Sequence, residues 1–148
     1  QLSDLYEALG EIEALCARLS ARRMSALERK RLENLNKESK LQLDAKDDTK
    51  YADFNEKIHK AIHDGSQNET LRLLAADLWQ RLAPFRRAVF FKLDDWLNES
   101  TLEHDDIVNA IVAGDTDNAF ALMRDHVASS SLNAIAYLED DRSSSTAK

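Results

Sequence analysis

Asn55 and His59 lie four residues apart in the run Asn55 to Asn68, NEKIHKAIHDGSQN. On a helix that spacing stacks the two side chains on one face, close to Ile58, Ala61 and Ile62. A carboxamide oxygen beside an imidazole nitrogen can serve as half of a divalent-metal site. His104 and His126 fall in separate helical stretches and could close the other half. Imidazoles from three helices plus one oxygen ligand suit zinc, nickel or manganese, with positions left open for water or a ligand. A local alternative stands beside this one. His59 and His63 are also four apart, with Glu56 three before His59, and paired histidines at that spacing on a helix are a known metal arrangement. Against it, His63 adjoins Asp64 and Gly65 at a helix end. Each histidine also has a plainer reading, as a surface residue or as a core imidazole satisfied by a hydrogen bond. His104 follows Glu103 in what reads as a first helical turn, where the dipole disfavours an imidazolium but tolerates a neutral ligand. His126 shares a stripe with Ala119, Leu122 and Met123, so it points inward and needs a partner.

Helices must carry these groups. The chain has 148 residues, enough for one domain with a real core. Only three glycines and one proline are present, where average usage would give roughly ten and seven. The turns of an all-β fold are hard to build from so few. Alanine, leucine, glutamate, lysine and arginine dominate, which points to an all-α fold: a single antiparallel bundle of about six helices over residues 1–148. The net charge of −7 argues against gripping nucleic acid with this surface. Cys16 is the only cysteine, so an internal disulfide is impossible and a cytoplasmic setting fits. No apolar run approaches the roughly 20 residues needed to span a bilayer. Neither a signal peptide nor an initiator methionine is visible, so Gln1 is expected to begin a fragment of a longer chain.

Taken in order, Leu5, Leu9, Ile12, Leu15, Cys16 and Leu19 form one apolar stripe on a first helix ending near Met24. Cys16 lies within it as a small buried hydrophobe rather than a reactive thiol. Ser25-Ala26-Leu27-Glu28 has capping-box spacing and opens a second helix to about Leu43. A third covers about Lys50 to His63, and Gly65 is expected to end it in the left-handed conformation. Asn68 caps a long fourth helix from about Glu69 to Asn98, in which Pro84 predicts a kink near Gln80 to Pro84. That kink either curves the helix around the core or frees a carbonyl and opens a pocket. Ser100-Thr101-Leu102-Glu103 repeats the capping-box spacing and opens a fifth helix ending at Gly114. Asp115 caps a sixth, running to about Leu138, and Asp140 to Lys148 reads as a frayed tail.

Three stretches resemble one known family. Tyr51-Ala52-Asp53-Phe54-Asn55-Glu56-Lys57-Ile58-His59, with Ser66, Asn68 and Leu71, is similar to the D-x-x-F-H-x-x-I…S-x-N-x-x-L signature of the FCD domain. That domain is the effector-binding half of the FadR branch of GntR-type transcription regulators. Glu103-His104, Ile107, Ala110-Ile111, Gly114-Asp115, Ala119 and His126 resemble its second signature, and Leu5-Tyr6-Glu7 with Ile12-Glu13 its opening helix. The resemblance covers nearly the whole chain and implies a homodimer. In many members the metal ligands are an acid, the histidine four after it and two later histidines. By position these become Asn55, His59, His104 and His126. Asn55 departs from the common aspartate, which weakens one ligand and leaves the site one charge more positive. Leu9 stands where the family often has arginine, so one possible effector contact is missing. The family's winged helix-turn-helix has no counterpart here.

The reading that follows is a metal-dependent effector-sensing domain of a bacterial DNA-binding transcription regulator. The metal is expected to be zinc, with nickel or manganese as alternatives, and the effector a small organic acid whose carboxylate displaces water from it. Ser130 and Asn133 follow His126 by four and seven residues and could hydrogen-bond the effector. Arg86 could clamp its carboxylate, or could be an exposed charge beside Arg87. Leu9, Trp79, Phe90 and Phe91 are candidate dimer contacts. DNA would be reached only through a winged-helix domain absent from these residues, and no membrane is involved. Two other readings remain open: a metal-dependent enzyme on a helical bundle, for which Glu56 is the one base in place, and a structural helical dimerisation module.

Overall fold

Six helices and no strand make up the described residues: α1 Leu2–Arg23, α2 Ala26–Asp44, α3 Asp48–Gly65, α4 Glu69–Phe90, α5 Asp94–Val112 and α6 Thr116–Thr146. The computed structural model describes residues 1–90 and 94–147, and within them all side chains but those of Asp48, Phe90 and residues 94–96. The architecture is the all-α bundle that composition implies.

Local chemistry sets the helix ends. Ser25 Oγ accepts from the Glu28 amide while Glu28 reaches back to the Ser25 amide, so the expected capping box is formed. Asp47 and Asp115 cap α3 and α6, each accepting from the amide three residues on. Arg29 crosses the bundle end and donates to the carbonyls of Met24, Ala21 and Ile111 at the ends of α1 and α5.

Four expectations need correction. Helix α4 is described only to Phe90, and α5 begins at Asp94. Ser100 is therefore not a cap; it lies buried inside α5, and Thr101 Oγ1 bonds back to the Leu97 carbonyl as a mid-helix hydroxyl does. His104 consequently sits in the body of α5, and the helix-dipole argument for it falls. Gly65 does not take the left-handed conformation; Gln67 does, at φ 51°. Gly65 is needed for space instead, because a Cβ there would stand 2.3 Å from Met24 Cε and 2.9 Å from Ser20 Oγ. Finally, the tail is helical to Thr146: Ser143, Ser144, Ser145 and Thr146 each bond a carbonyl four residues back. Pro84 stands within α4, which continues through it.

The core centres on α1, which packs most extensively on α6 and also touches α3, α4 and α5. Leu9, Cys16, Ala17, Ile58, Ile62, Leu82, Ile107, Ile111 and Met123 fill it. Leu9 is 1% exposed, so it is core and not a free dimer contact. Phe91 and the Phe90 side chain lie outside the described residues. Among the described residues no helix is long and apolar enough to cross a membrane.

Candidate metal centre

α3, α5 and α6 bring His59, His104 and His126 to one point in the interior. All three are 5% exposed or less. His59 Nε2 lies 3.3 Å from His104 Nε2, which lies 3.2 Å from His126 Nε2. Two nitrogens on a tetrahedral zinc at about 2.05 Å stand about 3.3 Å apart, so these spacings are those of shared coordination.

The outer ring nitrogens explain why the inner ones face each other. Glu13 Oε1 accepts from His59 Nδ1 at 2.8 Å, and Glu103 Oε2 accepts from His126 Nδ1 at 2.5 Å. An ionised carboxylate only accepts, so both Nδ1 atoms carry the proton and both Nε2 atoms of the neutral rings present lone pairs. Those lone pairs face His104 Nε2, whose single possible proton satisfies at most one of them well. A cation satisfies all three. Carboxylate–histidine–metal relays of this form fix ring orientation and raise ligand basicity. Burial, reinforced by His126 and His59, holds the His104 pKa well below its ordinary value. Burial lowers His59 too, against the opposing pull of Glu13. Neutral imidazoles are the state that ligates. Of the ring nitrogens of these three histidines, only His104 Nδ1 is buried without a partner.

A second cluster, Glu13 with His59 and His63, also gathers possible ligands. There Glu13 Oε1 is 2.5 Å from His63 Nε2, too short for two ligands of one ion and right for a hydrogen bond. Glu13 is fully buried. Burial alone would raise its pKa, but His59 and His63 outweigh that and hold it below the usual carboxylate range. Glu56, the base that spacing suggested, is exposed.

A cavity of about 40 Å³ adjoins the histidines. Asn55, 9% exposed, lines it together with His59 and His126. Arg86 and Ser130 line it as well. Ser130 Oγ also donates to the His126 carbonyl at 3.0 Å. Asn133 is half-buried, and the wall position is taken by Ala134. Arg86 is not a free surface charge: Cζ lies 3.6 Å from the Trp79 ring centroid, and a guanidinium N–H donates to the Trp79 carbonyl at 2.7 Å. Trp79 in turn lies against His59, the ring centroids 4.4 Å apart and the planes tilted by 32°, so it borders the site. Sequence reasoning missed Glu13, Glu103, Tyr6 and Trp79 as site residues; the only signal for Glu13 was its place in the opening-helix resemblance.

The family model of the FCD domain matches residues 4–129. Among solved structures, E. coli McbR/YncC is similar with a TM-score of 0.78 at 19% sequence identity. The alignment covers 96% of this chain and 66% of that one, so the chain spans somewhat less than two thirds of that protein. Comparison with curated proteins by sequence gives no match.

Proposed function

The chain belongs to the FCD domain family of GntR-type transcription regulators, and from that premise we propose that it is a metal-dependent effector sensor. On this reading residues 1–148 form one ligand-binding domain. His59, His104 and His126, with Asn55 as a neutral fourth ligand, hold a divalent metal, zinc before nickel or manganese. The effector is a small organic acid contacted by Arg86 and Ser130, with Asn133 at the margin. The carrying observation is the set of three Nε2 atoms turned on one point, two of them fixed by carboxylate contacts, buried Glu13 on His59 and half-buried Glu103 on His126.

The metal, when bound, supplies the positive charge that draws a carboxylate into the bundle. The chain's own part is to hold three neutral imidazoles in place, exclude water and present Arg86. Because the histidines come from three helices, ligand binding biases how those helices pack, and so the placement of an attached DNA-reading domain outside this chain. A homodimer and a cytoplasmic setting belong to the same proposal. The role is regulatory and not catalytic.

Thermal unfolding tests this. Zinc at about a hundred times its Kd should stabilise the metal-stripped protein by about 2.7 kcal/mol, raising Tm by roughly 5–10 °C. A small carboxylate should raise it again, and should be recovered unconverted. A Tm unmoved by both zinc and chelator would rule the proposal out.

A further inference from the structure

Two histidines of α3 share one oxygen of α1. Glu13 Oε1 accepts from His59 Nδ1 at 2.8 Å and from His63 Nε2 at 2.5 Å. Four residues separate the two rings, so they stand on one helix face and approach the carboxylate from one side. All three residues are buried, Glu13 completely. Among the described residues nothing else bonds that carboxylate. Its Oε2 has no donor, and three donors from the cavity wall, the Tyr6 hydroxyl, Trp79 Nε1 and Arg86 Nε, are buried without an acceptor. A glutamate side chain turns about three bonds, and a single hydrogen bond leaves much of that freedom open. Two donors converging on one oxygen remove it. Trp79 backs the pair, its ring centroid 4.4 Å from that of His59 and, edge-on, 6.1 Å from that of His63. His63 Nε2 is therefore committed to Glu13 and not to the point where the other three histidines meet.

We propose that His63 is a positioning residue of the metal centre: its Nε2–H holds the Glu13 carboxylate, which in turn sets the His59 ring with Nε2 toward His104 and His126. The histidine pair at four-residue spacing thus grips an anion rather than an ion of metal. A ligand ring already turned to its bound orientation gives up less freedom when the metal arrives, and partners outside the ligand set act through that orientation. His63 extends the relay by one member, from His59 through Glu13 back to the next turn of α3. The inference rests on the metal reading above, but the grip consists of this chain's side chains alone and can be measured in metal-free protein.

Three variants test it. His63→Gln keeps an N–H donor at the reach of Nε2, His63→Asn withdraws the same amide by one methylene, and His63→Leu removes the donor. In metal-free protein, nitrogen-edited proton NMR follows the His59 Nδ1 proton, which its buried bond to Glu13 shields from exchange. That signal should persist in the unaltered chain and His63→Gln and vanish in His63→Asn and His63→Leu. Zinc affinity, by competition with a chromophoric chelator, should fall about tenfold or more in His63→Asn and His63→Leu at one zinc per chain, and stay within about threefold in His63→Gln. In a Glu13→Gln background His63→Asn should change it by less than about twofold, since the two act as one unit. Full zinc affinity with an intact His59 signal in both His63→Asn and His63→Leu overturns the positioning role and leaves the metal reading standing. So does a loss that His63→Gln does not restore, or one that persists whole in the Glu13→Gln background. A His59 signal lost in His63→Asn and kept in His63→Gln, in a chain that takes up no zinc, supports the positioning role and overturns the metal reading.

Discussion

Glu11 and Glu13 look alike in the sequence, two residues apart on α1, yet they do opposite things. Glu11 pairs with Arg124 across the surface, whereas Glu13 is fully buried and orients His59. Glu13→Gln can no longer fix the His59 proton unambiguously, so zinc affinity should fall about 10- to 100-fold in competition with a chromophoric chelator. Asn55→Asp should move affinity the other way by adding an anionic oxygen; weaker binding would remove Asn55 from the ligand set. Acidity should act through the same residues. His59 and His104 have folded pKa values below the unfolded value of about 6.5, so the native state binds fewer protons than the unfolded one. Their contribution is neutral well above that pH, and stability is lost progressively as pH falls through it. The metal-free Tm should therefore drop between about pH 7.5 and 5.5; a flat Tm there would contradict buried neutral imidazoles. The convergence of His59, His104 and His126 was legible because each stands at a position of a family signature. Tyr6 and Trp79 were not, since an aromatic on an apolar helical stripe reads as core, and only packing reveals an unpartnered oxygen or nitrogen.

Among the elements, α1 and α3 are tied at one end by side-chain hydrogen bonds to backbone carbonyls. Ser20 Oγ donates to the Ile62 carbonyl at 2.6 Å, and Arg23 donates to that of Ser66 at 2.9 Å. Gly65 leaves room for Met24 at that crossing. Gly65→Ala should cost about 1–3 kcal/mol by overpacking, seen in denaturant unfolding, and Met24→Ala should recover part of it. Strict additivity of the two would place the strain elsewhere. Helix starts with a cap side chain were readable from the sequence, as at Ser25, Asn68 and Asp115. The Ser100 to Glu103 pattern misled because capping-box spacing carries no information about burial. A hydroxyl that can cap a helix can equally bond back within one, as Thr101 does. Pro84 likewise marks a weakened ladder without ending α4.

For the whole molecule, composition and stripe periodicity were enough to give an all-α bundle, because a chain so poor in glycine and proline has few other ways to bury its leucines. They could not give which helix is central. α1 is, and it brings Glu13 beneath histidines from α3, α5 and α6, so the polar centre ties together four helices. Occupancy of that centre and rigidity of the bundle should rise together, which is what a sensor of its own effector requires.

Metal content per chain, by elemental analysis of the purified protein and of His59→Ala, His104→Ala, His126→Ala and His63→Ala, tests that centre most directly. One zinc per chain is expected in the unaltered protein and in His63→Ala, with stoichiometric metal lost from the other three. Full retention in His104→Ala and His126→Ala, or loss confined to His59→Ala and His63→Ala, would contradict a shared three-histidine centre.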